Sequence, residues 1–479
     1  MRALRHWSVR HAAGMKRVYD AGLALTRPFY PFLRWVGRGW LEPVLLPIER
    51  ASKELMFDCR MCGQCVLSTT GMACPTNCAK EMRNGPCGGV RADGGCEVKP
   101  DMRCVWVEAT DGQKRISGNG ASAGLLPPID RAREGRSTWM RMIQGGAQTI
   151  EVPSQPPPAA VRPIHAFEQA CRAQMAGTGR PVVTVEIAPP DSADPSELIA
   201  RVERFRGLAD AVNITDGAGG NCHMSSAAAA AILASKGFAS VCQLTCRDRN
   251  RIAIQGDLLG AAALGVHNIL CLTGDDVSQG DHPGAKPVFD LDSVTLLRII
   301  TDMRDKGEFA SGRKITAPPN LFIGATINPF VPPYLDRVAN MEKKIRAGAQ
   351  FIQTQFCFDL PMFERFMAEV RARGLHRQVP IIVGVGTLGT AKALSWMASH
   401  VPGVHIPASV LQRIAAAPDQ KAEGLAVLTE TITALIGTEG VAGVHLMGHK
   451  NEALLAEAIM RSGLRALALP DPEIKQPRD

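Results

Sequence analysis

The sequence predicts an α/β protein: a (β/α)8 TIM barrel preceded by a small irregular Cys-rich metal-binding domain and a basic helical N-terminal arm. Three observations carry this. From about residue 181, short Val- and Ile-rich runs alternate with longer amphipathic or Ala-rich stretches, eight times over. Eight of the 14 Cys fall between Cys59 and Cys104. Residues 1–50 hold nine Lys/Arg against three Asp/Glu, so this arm alone carries +6 of the net +8.

The arm (1–50) also holds Trp7, Trp35, Trp40, Tyr19 and Tyr30. Its periodicity predicts short helices broken at Pro28, Pro31, Pro43 and Pro47. The other 429 residues carry only +2, which argues against a general nucleic-acid binder. Charged residues at 21% and hydrophobic residues at 46% exclude a disordered or fibrous chain. No run reaches the roughly 18–20 uninterrupted apolar residues of a membrane span. No apolar stretch of a secretory signal follows the basic start, so a cytoplasmic protein without a cleaved signal is expected. Residues 51–106 have little regular apolar pattern and need a staple to fold. Residues 107–180 read as a connector with the Pro-rich run 153–158, and residues 469–479 as a loose tail. Cys242, Cys246, Cys271 and Cys357 sit in apolar runs and read as small buried hydrophobes.

The barrel domain spans 181–468. Its eight expected strands are 182–187, 211–215, 240–245, 268–273, 321–327, 351–356, 381–385 and 444–447. Alternating strand and helix implies a parallel sheet, and eight units in this length fit a closed barrel. No Gly-x-Gly-x-x-Gly follows the first strand, which disfavours the doubly wound alternative.

Barrel chemistry gathers at the C-terminal ends of strands. Glu186 lies in an otherwise apolar strand, so its carboxyl faces the barrel or its mouth. A raised pKa there suits a general acid; pairing with an arginine such as Arg247 is the structural alternative. Asp275 follows Thr273-Gly274 on a turn, where a helix cap or turn role competes with a catalytic one. Gln353 and Gln355 share one face of the sixth strand and need hydrogen-bond partners. The ends hold no Schiff-base Lys, no Gly-x-Ser-x-Gly elbow and no His/Asp metal cluster, so a cofactor is expected to supply the chemistry.

These residues resemble the methylenetetrahydrofolate reductase family over essentially all of 181–465. Glu186 before two prolines, Asn-Ile-Thr215, Leu-Thr-Cys246, Leu-Thr-Gly-Asp275, Lys286-Pro before Phe289, Asn340 with Lys344 before Ala-Gly-Ala349, Thr-Gln355-Phe-x-Phe-Asp359, Val-Gly-Val-Gly386 and His405-Ile-Pro407 carry the likeness. The resemblance implies a flavoenzyme of one-carbon and methionine metabolism. It would reduce 5,10-methylenetetrahydrofolate to 5-methyltetrahydrofolate by hydride transfer from reduced flavin. Glu186 would be the general acid, and Asp275 would stabilise the iminium cation beside the flavin. Gln355, with Gln353 and Glu186, would bind folate. Thr215, Thr245, Thr273, Gly274, Asp275, Ala325, Asn340 and Lys344 would contact FAD, or FMN in its place. Gln243 stands where the family often has His, and Phe289 where it often has Tyr.

The segment Cys59-x-x-Cys62-Gly-Gln-Cys65, Cys74-Pro, Cys78, Arg-Asn-Gly-Pro-Cys87, Cys96 and Cys104 resembles the small partner subunit of acetogen-type reductases. Eight Cys with no His between 51 and 106 fit two all-thiolate sites. Two [4Fe–4S] clusters are expected, structural zinc being the alternative. Which four Cys group together is not legible. NAD(P)H or an electron-carrier protein would be the donor. Nucleic acid and membrane partners are not expected, and a homo-oligomer is compatible. The rival readings are a pterin-dependent methyltransferase and a non-catalytic flavin- or folate-binding electron-transfer scaffold.

Overall fold

The computed structural model describes residues 2–118, 124–146, 162–334 and 336–465. The Pro-rich run 153–158 and the tail 469–479 lie outside the described residues. Eight strands close into a barrel in sequence order, every neighbouring pair parallel. They are β1 (Val182–Ile187), β2 (Ala211–Ile214), β3 (Ser240–Thr245), β4 (Asn268–Leu272), β5 (Phe322–Ile327), β6 (Phe351–Phe356), β7 (Ile381–Gly386) and β8 (Val441–Met447). The strand β8 begins three residues before the expected one. Its Gly443 had masked the pattern, yet it lies opposite Val182, where a Cβ would meet the Val182 carbonyl oxygen at 1.9 Å. Only glycine lets the barrel close there.

Alternation along β1 sorts its side chains by depth. Val183, Val185 and Ile187 face the surrounding helices, while Val182, Thr184 and Glu186 climb the interior from floor to mouth. The floor is an aromatic plug. Phe167 meets Phe322 and Phe351 edge-on, at centroid distances of 5.7 and 5.3 Å. Cys242, Cys246, Cys271 and Cys357 are buried in the main core, as small apolar residues would be.

Seven further helices matter for the site. The arm folds as α1 (Arg2–Arg10), α2 (Ala12–Thr26), α3 (Tyr30–Val36) and α4 (Arg38–Phe57). They are followed by α5 (Val105–Ser117), α6 (Thr138–Ile143) and α7 (Ala166–Met175), the last carrying Phe167. The chain does break around Pro28 and Pro31, but α4 runs unbroken through Pro43 and Pro47. Both prolines are exposed, and so is Gly39, one of the two residues whose carbonyls lose an intrahelical donor. Water can solvate such a freed group, and the helix survives.

The arm is fastened by a buried carboxylate. Glu49 accepts from Ser137 Oγ (2.5 Å), Thr138 N (3.1 Å), Trp139 N (3.2 Å) and Lys53 Nζ (2.5 Å). Burial pushes its pKa up, but Lys53 and the hydroxyl donors outweigh this and hold it low. A depressed folded pKa stabilises above the unfolded carboxyl value and is lost as pH falls through the folded one. Arm docking should therefore hold at neutrality and weaken below about pH 4. Glu49→Ala is expected to cost about 3–5 kcal/mol, because Lys53 is left buried and unpaired. Faster proteolysis of the arm and a lowered melting temperature would report it.

Candidate functional site

The module between α4 and α5 is irregular, with single 3-10 turns at Leu67–Thr69 and Pro75–Asn77. Its cysteines divide into two fours. Cys59, Cys62, Cys65 and Cys74 line one cavity with Lys53, Glu49 and Arg83. Cys78, Cys87, Cys96 and Cys104 line a second with Lys80, Glu97 and Trp106. All eight are free thiols. Burial pushes Cys59 up to about 11 and Cys74 and Cys78 up to about 12. Among the described residues, no three His, Cys, Asp or Glu side chains converge closely enough to hold a single metal ion.

The segment 80–88 lies on the barrel's C-terminal rim, across the ends of β4 and β5. Lys80 Nζ donates to the Gly274 carbonyl (2.7 Å) and pairs with Glu97. Asp292 caps the helix Ser293–Asp305 and accepts from the backbone N–H groups of Arg83 and Asn84, both at 2.9 Å. Buried Arg337 donates to the Cys87 carbonyl (2.8 Å), and Asn328 Nδ2 to the Gly88 carbonyl (2.9 Å). Lys80→Met would strand Glu97 beside Cys87 and release Gly274. We expect module–barrel docking to loosen, with cleavage between 106 and 162 accelerated by tenfold or more for a loss of about 3–5 kcal/mol.

Across the barrel from β4 and β5, at the mouth end of β1, Glu186 is partly exposed. Gln243 Nε2 donates to Glu186 Oε2 (2.7 Å), and His445 Nε2 stands 3.6 Å from the same oxygen. His445 Nδ1 pairs with Thr184 Oγ1 at 2.8 Å. Burial pushes the Glu186 pKa up, but His445 and Gln243 outweigh it and hold the carboxyl below its ordinary value. The expected raised pKa is thus corrected: the sequence showed the apolar strand but not the two partners from β3 and β8. Arg247 is not its partner; that guanidinium binds Asp248 and the Gly217 carbonyl. His445 carries the same signal as Glu186, a polar residue inside an apolar strand, and was left unassigned.

The other expected residues fall into three groups. Asp275 is exposed at the rim, its Oδ2 accepting from Gly219 N at 2.9 Å, which ties the turn after β4 to the loop after β2. Gln355 is partly exposed, its Oε1 accepting from Phe356 N (2.9 Å), so its amide NH2 is the end available to a ligand. Gln353 is 1% exposed and held below the mouth by Asn213 (2.7 Å) and Thr184 (3.2 Å), so the barrel itself satisfies it. Thr245 is likewise committed, through its N–H and hydroxyl, to Asp216. Ala325 faces the outer core, leaving only its backbone for a ligand. Thr273, Gly274 and Asn340 lie against Met82, Lys80 and Asn84 of the module.

Two observations test whether a flavin fits. Thr215 Oγ1 and Asn340 Oδ1 are buried without hydrogen-bond partners. Such atoms are costly unless a ligand completes them. Lys344 is buried and, among the described residues, donates only to the Thr326 carbonyl (2.6 Å); burial and neighbouring Arg337 push its pKa down to about 8. A buried cation without a carboxylate partner suits a phosphate. These residues fit the group.

The family described as Methylenetetrahydrofolate reductase matches residues 171–463, and the one described as Methylene-tetrahydrofolate reductase C terminal matches 41–132, which include all eight module cysteines. Methylenetetrahydrofolate reductase 2 of Schizosaccharomyces pombe is 29% identical over 37% of this chain and 28% of its own length. Methylenetetrahydrofolate reductase 1 of the same yeast is 25% identical over 58% of this chain and 45% of its own length. A Caenorhabditis elegans protein called probable methylenetetrahydrofolate reductase (NADPH) is 29% identical over 34% of this chain and 22% of its own length. The chain therefore spans less than half the length of these relatives. With the barrel domain matched almost end to end, the chain belongs to the methylenetetrahydrofolate reductase family.

Proposed function

We propose that the chain reduces 5,10-methylenetetrahydrofolate to 5-methyltetrahydrofolate on the barrel that begins near residue 181. The observation that carries this is Glu186, held at the inner rim of the barrel mouth by Gln243 and His445. When bound, FAD or FMN supplies the hydride. The protein's part is the proton and the charge. Glu186 is the general acid that would deliver the proton, its carboxyl bonded by Gln243 and faced by His445, with Thr184 fixing the imidazole. Asp275 sets a carboxylate at the rim, where an iminium cation would form, and Gln355 offers its amide to the pterin. Thr215, Asn340 and Lys344 would hold the flavin, Lys344 through its phosphate.

The module supports a second part of the reading. Each four cysteines line a cavity of their own. Two iron–sulfur clusters, one to a quartet, fit that division, with structural zinc as the alternative. The second quartet adjoins the barrel rim through Lys80, and the first adjoins the arm through Lys53. That order supports electrons entering by way of the module from a carrier protein. The NADPH named for the worm relative is the alternative donor. The expected site is the cytoplasm; among the described residues no helix is long and apolar enough to cross a membrane.

Denatured protein should release stoichiometric flavin. A protein that fails to take up FAD or FMN, yet transfers methyl groups from a pterin, would establish the methyltransferase instead.

A further inference from the structure

The helix α4 packs through its polar side. α4 buries Glu49 and Lys53 against α6 and leaves Trp40, Val44 and Ile48 outside, at 81, 62 and 56% exposure. These three recur every four residues, and Pro43 and Pro47 fill the same stripe, so they make one outward apolar face. At 20 residues the helix is about 30 Å long. Its neighbour α3 adds Phe32 and Trp35, both exposed and stacked on each other at 6.0 Å. Of the seventeen large hydrophobic side chains exposed among the described residues, twelve lie between Leu4 and Leu55.

The charge around this face is predominantly positive. Arg17, Arg27 and Arg50 are exposed and in no ion pair among the described residues. Of the four acids on α1 to α4, three are engaged, Asp20 by Lys16, Glu42 by Arg38 and Glu49 by Lys53, and Glu54 is exposed without an ion pair among the described residues. An aromatic and aliphatic stripe flanked by free arginines is the pattern of a helix lying in a lipid interface.

We propose that α3 and α4 seat the protein on an anionic lipid surface, their apolar face at the acyl boundary and the arginines on headgroup phosphates. A second copy fits less well, since two arms of +6 would repel. An electron carrier fits less well too, since redox encounters use small surfaces and this stripe is apolar over the length of α4. The prolines had pointed to short broken helices and away from a membrane partner; α4 instead runs unbroken for 20 residues.

The test is co-sedimentation of the full-length protein with vesicles of phosphatidylglycerol and phosphatidylcholine, and of phosphatidylcholine alone. We expect about tenfold or more tighter binding to the anionic vesicles, with a blue shift of tryptophan emission. The double variant Trp40→Asp, Ile48→Asp should lose binding while keeping its melting temperature, since both side chains point outward. Three outcomes would overturn the proposal. One is failure to bind either vesicle. A second is unchanged binding by the double variant, which would reduce the effect to diffuse charge. The third is a concentration-dependent dimer abolished by the same substitutions. Pairing with a protein instead would appear as the first outcome.

Discussion

Glu186→Gln is expected to keep flavin and folate bound while lowering turnover by about 10²–10⁴. Gln preserves the shape of the side chain and can still bond Gln243, so the loss would be in kcat with little change in KM. His445→Gln should share the kcat defect to a smaller degree, because it acts through Glu186 and not on the substrate. It should also move the alkaline limb of the pH–rate profile to higher pH, since an acid works protonated and His445 is what holds the Glu186 carboxyl low. An unchanged rate for Glu186→Gln would remove the assigned acid.

The second large effect concerns the thiolates. Cys62→Ser and Cys87→Ser lie in different quartets, so each is expected to remove half of the metal and spare the rest. For two [4Fe–4S] clusters, iron and acid-labile sulfide would each fall from about eight to about four per chain. Cys87→Ser should also abolish turnover driven by a reduced electron carrier, while leaving intact any turnover started from chemically reduced flavin. Zinc in place of iron, at about two per chain, would make the module structural and return the donor role to NAD(P)H. Loss of all metal from either single variant would show that the two groups depend on one another.

The barrel was legible because its signal is repeated. Eight apolar runs with helical stretches between them leave few alternatives, and most strand ends fell within one residue of those expected. The exception, β8, failed because Gly443 meets a backbone, which no periodicity encodes. Glu186 was findable as a carboxyl in an apolar strand, but its ionisation depends on β3 and β8, brought beside it only by barrel closure. Gln353 shows the same limit from the other side. It shares a strand face with Gln355, but one layer of depth gives it to Asn213 and Thr184. The cysteine pairing was hidden because a segment held by its ligands has no hydrophobic pattern to read. Lys80 was hidden because its partner, Gly274, is 194 residues away.

The arm had read as a tally of charge and tryptophan. Folding divided that tally in two: Glu49 and Lys53 became an anchor, and the aromatic residues became an outer face.

The account's central claim is tested most directly by a single anaerobic turnover. The protein, its flavin reduced beforehand, is mixed with 5,10-methylenetetrahydrofolate in the absence of any other donor. Reoxidation of one flavin for each 5-methyltetrahydrofolate formed is the predicted result. Flavin that stays reduced while folate is recovered unchanged, in a protein shown to bind both, would contradict it and leave a binding scaffold.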